Sequence, residues 1–255
     1  MYVKGLVLEQ RMLMPRLGTR KLYYLLKNRF DREKIKVGRD KLFSYLRQEH
    51  LLIKPKKNYT KTTQSKHWLH KYPNMVKDMD INGPEQLWVS DITYLKTKEQ
   101  STYLALVTDA YSRKIMGYNL SLDLGAESVS EAVKMAIKNR IYKHPVVHHS
   151  DRGLQYCSEL YQNILKRNNT IPSMTDGYDC YQNALAERMN GIIKNEFLIT
   201  ELKDEKQANT AVRESIRTYN NLRPHLSLNY RTPQLIHKKY PPNHTNLKDI
   251  CKNLV

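Results

Sequence analysis

Cysteine is scarce in this 255-residue chain: Cys157, Cys180 and Cys251 are the only three, widely spaced and odd in number. That argues against a disulfide framework and against CxxC-type zinc binding, and it leaves free thiols in a reducing compartment as the expectation. Long apolar runs are missing too. No stretch approaches the roughly 18 apolar residues of a membrane span. The N-terminal MYVKGLVLEQRMLMPRLG is broken by charges at Glu9 and Arg11, so it does not read as a signal peptide. A phosphate-binding GxxxxGK motif is also absent, so nothing points to nucleotide hydrolysis as the power source. A soluble, cytoplasmic chain with no membrane partner is the expectation.

Acidic residues are the minority, 25 against 43 Lys and Arg, for a net charge of +18. The excess is uneven: residues 1–80 carry 20 basic and 7 acidic side chains, the remainder 23 and 18. A basic segment of this kind points to a polyanion, of which nucleic acid is the commonest; a solvated helical face is the bland alternative.

Within the basic third, GTRKLYYLLKNRF (18–30) sets Leu22, Leu25, Leu26 and Phe30 at helical spacing after a possible N-cap, Thr19. RDKLFSYLRQEHLL (39–52) repeats the period, and two short basic helices joined by a turn resemble a helix-turn-helix unit or an ordinary helical hairpin. Residues 54–80 are basic and aperiodic, the signature of a linker. Strand-like segments follow at 87–95, 102–111, 113–122, 145–151 and 171–174, with helices at 126–140, 158–167 and 183–197. Together they predict a mixed α/β sheet covered on both faces by helices.

LWVSDITYL (87–95) reads as a buried strand with a carboxylate, Asp91, in its middle. Such a charge must be paired, exposed at an edge, or bound to a cation. Asp151 lies just past the C-terminal end of another strand, where ligands of parallel sheets gather. Glu187 shares a helical face with Asn183, Asn190 and Lys194, opposite Leu185, Met189, Ile192 and Ile193. Three converging carboxylates repel unless a divalent cation neutralises them, and oxygen-only ligands suit Mg²⁺ or Mn²⁺. Two such ions are a standard device of phosphodiester chemistry. Taken singly, each acid has a plain alternative: a bulge residue, a turn former and a solvated helix residue. Of the neighbours, His148 and His149 are better read as one packing group and one that orients the loop or contacts DNA than as ligands, Asp109 as a turn cap, and Trp88 as core.

Taken jointly, WVSDITYL, HSDRGLQY and the Glu of NALAERMNGIIKNEF resemble the catalytic core of IS3-family insertion-sequence transposases. The 35 residues between Asp151 and Glu187 match the spacing of the DD(35)E signature shared with retroviral integrases. YNNLRPHLSLNYRTP (219–233) is similar to the family's tail motif, and the two basic helices to its helix-turn-helix-like segment. DCYQNA (179–184) departs from the family, with Gln182 where an acid is common.

The resemblance implies a ribonuclease H-like five-stranded core at 83–200. Around it would lie a basic helix-turn-helix-like region at 1–53, a basic linker at 54–82 and a C-terminal helical extension at 201–255. It implies DDE-type transposition of a bacterial insertion sequence: Asp91, Asp151 and Glu187 as catalytic metal ligands, and two Mg²⁺ or Mn²⁺ ions as cofactors. It also implies double-stranded DNA partners, namely terminal repeats and target, a homo-oligomer, and an upstream-frame product as a further partner of a nucleoid-associated protein. Arg20, Lys21, Arg39, Lys41, Arg47, Lys54, Lys56, Lys57, Lys194 and Arg223 are the expected DNA contacts. A catalytically silent DNA-binding protein or repressor on the same scaffold, or a plain nuclease, is the alternative.

Overall fold

The computed structural model describes residues 2–54, 68–77, 79–176 and 183–239. Strands β1 (Leu87–Lys96), β2 (Ser101–Asp109), β3 (Ile115–Ser121), β4 (Val146–Ser150) and β5 (Thr170–Met174) form one sheet in the order β3-β2-β1-β4-β5. The β1–β2 and β2–β3 pairs are antiparallel hairpins; β4 joins β1, and β5 joins β4, in parallel. Strand β1 is therefore central. Its first half, Leu87 to Ser90, is buried on both faces, whereas its second half, from Asp91 to Tyr94, is only partly buried.

One face is covered by α4 (Ala126–Lys138), α5 (Leu154–Cys157) and α6 (Glu159–Arg167), with Trp88, Ala105, Val107, Tyr156 and Tyr161 among the buried contacts. Helix α4 lies so near β3 that a Cβ on Gly117 would stand 2.0 Å from the Ala132 carbonyl oxygen, so only glycine permits this approach. Ser158 caps α6 by accepting the Tyr161 N–H at 3.3 Å.

The other face carries α7 (Ala184–Ile192) and α8 (Glu205–Leu222). The single helix expected over 183–197 changes pitch: Ile193–Phe197 is a π-helical turn. Such turns are uncommon and cluster at functional sites.

The N-terminal third folds as α1 (Tyr2–Leu13), α2 (Thr19–Arg32) and α3 (Arg39–Gln48). Helices α2 and α3 follow the apolar spacing, with Leu22, Leu26, Phe30, Leu42 and Leu46 buried. Two details differ from expectation. Gly18, not Thr19, occupies the N-cap position, and α3 stops at Gln48 before His50, whose φ is 55°. Helix α1 buries Leu6 and Val7 against this pair, and the same apolar cluster continues into Leu95, Leu104, Met189 and Phe197 of the core.

The second half of the expected linker is a strap on the core. Met75 N donates to Ser173 Oγ (2.9 Å), Met174 N donates to the Pro73 carbonyl (3.3 Å), and Val76, Met79 and Ile81 pack on Leu87, Val89 and Val147. Its first half, with Lys56 and Lys57, lies outside the described residues.

The tail is fastened by a buried polar cluster. On α9 (Pro233–Lys239), fully buried His237 places Nε2 3.1 Å from Glu85 Oε1 and Nδ1 3.6 Å from Asp109 Oδ2 and 3.0 Å from Ser112 Oγ. Burial alone would push its pKa down; the two acids outweigh that and raise it. Glu85 also accepts the Ile141 and Tyr142 N–H groups and faces Arg140, while Asp109 caps the following turn through Ser112 N (2.8 Å) and accepts Glu85 N. No helix among the described residues is long and apolar enough to cross a membrane.

Candidate active site

Strand register brings the two aspartates together. Val89 is level with His149 in the parallel β1–β4 pair, and the pairing ends there. Two residues further along each path stand Asp91 and Asp151, on the face toward α7. The Asp91 side chain keeps a partial opening to solvent but is enclosed by protein on most sides. Desolvation first, then the negative charge of Asp151 and, more weakly, that of Glu187, pushes its pKa up to about 7. Asn190 opposes this by donating Nδ2–H to Asp91 Oδ2 at 3.0 Å. Asp151 Oδ1 accepts the Gly153 N–H at 3.0 Å, an Asx turn that fixes the carboxylate at the end of β4.

Helix α7 supplies the third wall. Asn183, Glu187 and Asn190 recur at helical spacing: Asn183 donates Nδ2–H to the Ser90 carbonyl at 3.1 Å, Asn190 reaches Asp91, and Glu187 stands between them on an exposed turn. The structure thus brings Asp91 and Asp151 together and sets Glu187 within electrostatic reach of Asp91. It does not close all three into one grip: among the described residues no three His, Cys, Asp or Glu side chains form a metal-holding group. Residues 177–182, which lead into α7 and include Gln182, lie outside the described residues.

The donor set nevertheless suits a hard cation. Beside the two aspartates, Asn183 Oδ1 and Asn190 Oδ1 are buried acceptors without a hydrogen-bond partner among the described residues. Buried carboxylate and amide oxygens without matching donors are the ligand chemistry of Mg²⁺-type ions.

His148 and His149 are packing groups. His148 Nε2 lies 2.8 Å from Ser90 Oγ and 2.9 Å from Tyr161 OH, and burial holds it neutral, its pKa pushed down to about 3. His149 Nδ1 lies 2.9 Å from Ser173 Oγ on β5. The Cys157 thiol is pushed up to about 11 by burial, so it is no nucleophile at neutral pH.

The expected DNA contacts divide. Arg20, Arg39, Lys41, Arg47 and Lys54 are exposed, with Arg39 paired to Asp40 at 2.8 Å. Lys194 is half-buried on the π-turn. Two residues sit elsewhere than that expectation placed them. Arg223 is 2% exposed and forks onto Glu196 with bonds of 2.8 and 2.7 Å. Lys21 is drawn in beside the same carboxylate at 3.7 Å. The guanidinium of Arg223 is consumed internally, because a buried arginine needs a paired anion. Asn183, Asn190 and Glu196 were not singled out for function from sequence. The signal for the two asparagines was there, in the i, i+4, i+7 stripe with Glu187, but nothing local marks Glu196 as the partner of a residue 27 positions away.

Known proteins agree with this architecture. Residues 81–180 match one model of an integrase core domain, and residues 168–233 match a second. An insertion element IS600 31 kDa protein of Shigella sonnei is 34% identical over 207 residues, 80% of this chain and 76% of that one. The transposase InsF of insertion sequence IS3A from Escherichia coli is 38% identical over 143 residues, 56% of this chain; the match spans half of InsF's length. Among solved structures, the catalytic core of HTLV-2 integrase in complex with magnesium, in its trimeric form, aligns with a TM-score of 0.50 at 22% identity. That alignment covers 61% of this chain and 97% of the integrase core. A chain of a simian T-cell lymphotropic virus intasome structure aligns at 0.55 and 16%, covering 91% of this chain and 76% of that one. At such identities these two establish the fold, which is ribonuclease H-like.

The integrase-core match and the transposase relatives define the class, a DDE-type polynucleotidyl transferase. Within that class, the chain belongs to the IS3 family of insertion-sequence transposases.

Proposed function

We propose that this chain cuts DNA at the ends of its insertion sequence and joins the freed 3′-hydroxyl to target DNA by in-line phosphoryl transfer, with Asp91, Asp151 and Glu187 as ligands of two Mg²⁺ or Mn²⁺ ions. The observation that carries the reading is Asn190: the helix that bears Glu187 is tied by a 3.0 Å hydrogen bond to Asp91 itself, beside Asp151. Divalent cations in such a site supply Lewis acidity for the attacking and leaving oxygens. The chain's own part is positional. Asp151 is braced by its turn, Asp91 is held by Asn190, and α7 presents Glu187 across the same opening. No covalent protein intermediate is needed.

The segment 1–53 is assigned to DNA capture, 54–82 to passage along the duplex, 83–200 to chemistry and 201–255 to fastening the assembly. Bridging two DNA ends calls for more than one copy, so a homo-oligomer is part of the proposal. So are an upstream-frame partner for end recognition and residence at the nucleoid.

Labelled end DNA incubated with Mg²⁺ tests the reading: a repressor shifts mobility, a nuclease cuts, and a transposase also joins strands. Asp151→Asn is expected to lower cutting and joining by at least about 1,000-fold, roughly 4 kcal/mol of barrier, while the mobility shift persists. Strand joining at the wild-type rate in that variant would remove Asp151 from the mechanism. Asn190→Ala should raise the Mg²⁺ concentration needed for half-maximal cutting by about 10- to 100-fold, the usual effect of losing a group that orients a metal ligand. An unchanged Mg²⁺ titration would reduce Asn190 to a packing residue.

A further inference from the structure

One short loop of the tail ties the N-terminal helices to the helix of Glu187. After α8 the chain folds back on itself over residues 223–231: His225 N donates to the Arg231 carbonyl (3.1 Å) and Tyr230 N to the His225 carbonyl (2.7 Å). Asn229 and Tyr230 are both left-handed, with φ of 52° and 60°. Bulky side chains rarely adopt that conformation, and it persists only where the surroundings over-determine it. What it achieves here is aim. The Tyr230 ring stacks on Tyr24 of α2, centroids 4.7 Å apart and planes 14° from parallel.

The root of the same loop grips the catalytic side. Arg223 forks Glu196 of the π-turn and donates Nη1–H to His225 Nε2 at 2.9 Å, and the His225 ring meets Tyr219 edge to face at 5.2 Å. The Tyr219 hydroxyl donates to the Arg113 carbonyl at 2.9 Å and lies 3.4 Å from Sδ of Met189, two residues beyond Glu187 on α7. Glu196 also meets the N-terminal helices: its carbonyl accepts the Arg16 N–H at 3.2 Å, and its carboxylate stands 3.7 Å from Lys21 in the first turn of α2. The apolar cluster shared by the two units supplies adhesion without direction. The stack and the Glu196 bonds are directional, so they fix the angle at which α2 meets the π-turn.

We propose that this loop is a clamp and Tyr230 a positioning residue: by stacking on Tyr24 it holds the N-terminal helical unit at one orientation to α7, so that DNA carried by that unit is delivered to Glu187. The proposal rests on the transposase reading for the substrate, not for the clamp. Tyr24 is 45% exposed and Tyr230 only partly buried, so trimming either ring opens no core cavity.

The test uses the full chain. Paired labels on Lys27 of α2 and Lys134 of α4, both exposed, report the distance between the two units; they are attached through Lys27→Cys and Lys134→Cys in a Cys180→Ser, Cys251→Ser background. The wild-type clamp should give one narrow distance distribution. Tyr24→Ala or Tyr230→Ala should broaden it, whereas Tyr230→Phe, which keeps the ring, should not. With Mg²⁺ and saturating labelled end DNA, either Ala variant should cut about 10- to 100-fold more slowly, the scale of a small misplacement set far from the chemistry. The half-saturating DNA concentration should stay within about twofold, because the change falls on the bound complex. Tyr230→Phe should cut at the wild-type rate, and the double variant Tyr24→Ala, Tyr230→Ala should lose no more than either single, since one and the same stack is broken in all three. Distances as narrow in the Ala variants as in the wild type would overturn the clamp. So would a loss confined to DNA affinity, or a loss in Tyr230→Phe equal to that in Tyr230→Ala. The two readings fail separately. A chain whose distances broaden as expected yet never cuts DNA keeps the clamp and loses the transposase assignment, and one that cuts and joins with unbroadened distances loses the clamp alone.

Discussion

Replacing Asp91 with Asn should make the cation-free protein more stable at pH 8 and inactive at any pH. A carboxyl whose folded pKa is raised from 3.8 to about 7 keeps in the native state a proton that the unfolded chain has already released. Stability therefore falls as pH rises from about 4 to about 7, and above that range the full penalty is present. At 1.36 kcal/mol per pH unit, the whole shift is worth on the order of 4 kcal/mol. An amide carries no such penalty and can still meet Asn190. Urea unfolding in EDTA at pH 8 should show Asp91→Asn more stable than wild type, and at pH 4 the difference should vanish. Added Mg²⁺ should stabilise the wild type much more than the variant, because a cation relieves the desolvated charge that the variant lacks. A variant less stable than wild type at pH 8 would mean that Asp91 is already neutralised by protein groups, and the reason for assigning it a cation would go.

The second large effect is expected at Arg223. Arg223→Gln should cost about 3–5 kcal/mol of folding free energy, the usual result of leaving one partner of a buried ion pair behind. Burial alone would raise the pKa of Glu196; the fork of Arg223, with Lys21, reverses this and holds it below the ordinary carboxylate value. That stabilisation is present above the unfolded pKa and is lost as pH falls through the folded one, so the wild type should weaken in acid more than the variant does. The double variant Glu196→Gln, Arg223→Gln should cost less than the sum of the singles, since neither side is then left charged and alone. Chemical denaturation of the three variants decides it. A loss under about 1 kcal/mol for Arg223→Gln would place the pair among surface salt bridges and return Arg223 to the DNA-contacting set.

The contrast between these two residues marks what the sequence could and could not reveal. Asp91 was legible because a carboxylate inside an apolar strand is a local anomaly, and the spacing of Asp151 and Glu187 gave it company. The five strands were legible from their alternation and from the turn residues between them. Helices α2 and α3 were legible from their apolar period. Arg223 was misplaced because an arginine in a tail motif looks the same whether it faces a phosphate or a buried glutamate, and its partner lies on a different element. Helix α1 was not legible because Glu9 and Arg11 interrupt its apolar run, although charges on one side are compatible with a helix burying Leu6 and Val7. The π-turn left no local trace, for IKNEF would sit equally well in an ordinary helix.

The clasp of His237 between Glu85 and Asp109 bears on how such a gene decays. A frameshift or stop codon just ahead of position 237 would spare every acid of the site, yet it would remove the imidazole that lies between two carboxylates with no exposure to water, leaving Glu85 to Arg140 and Asp109 to the Ser112 and Glu85 N–H groups. Damage late in the reading frame should therefore weaken the fold rather than trim a dispensable end.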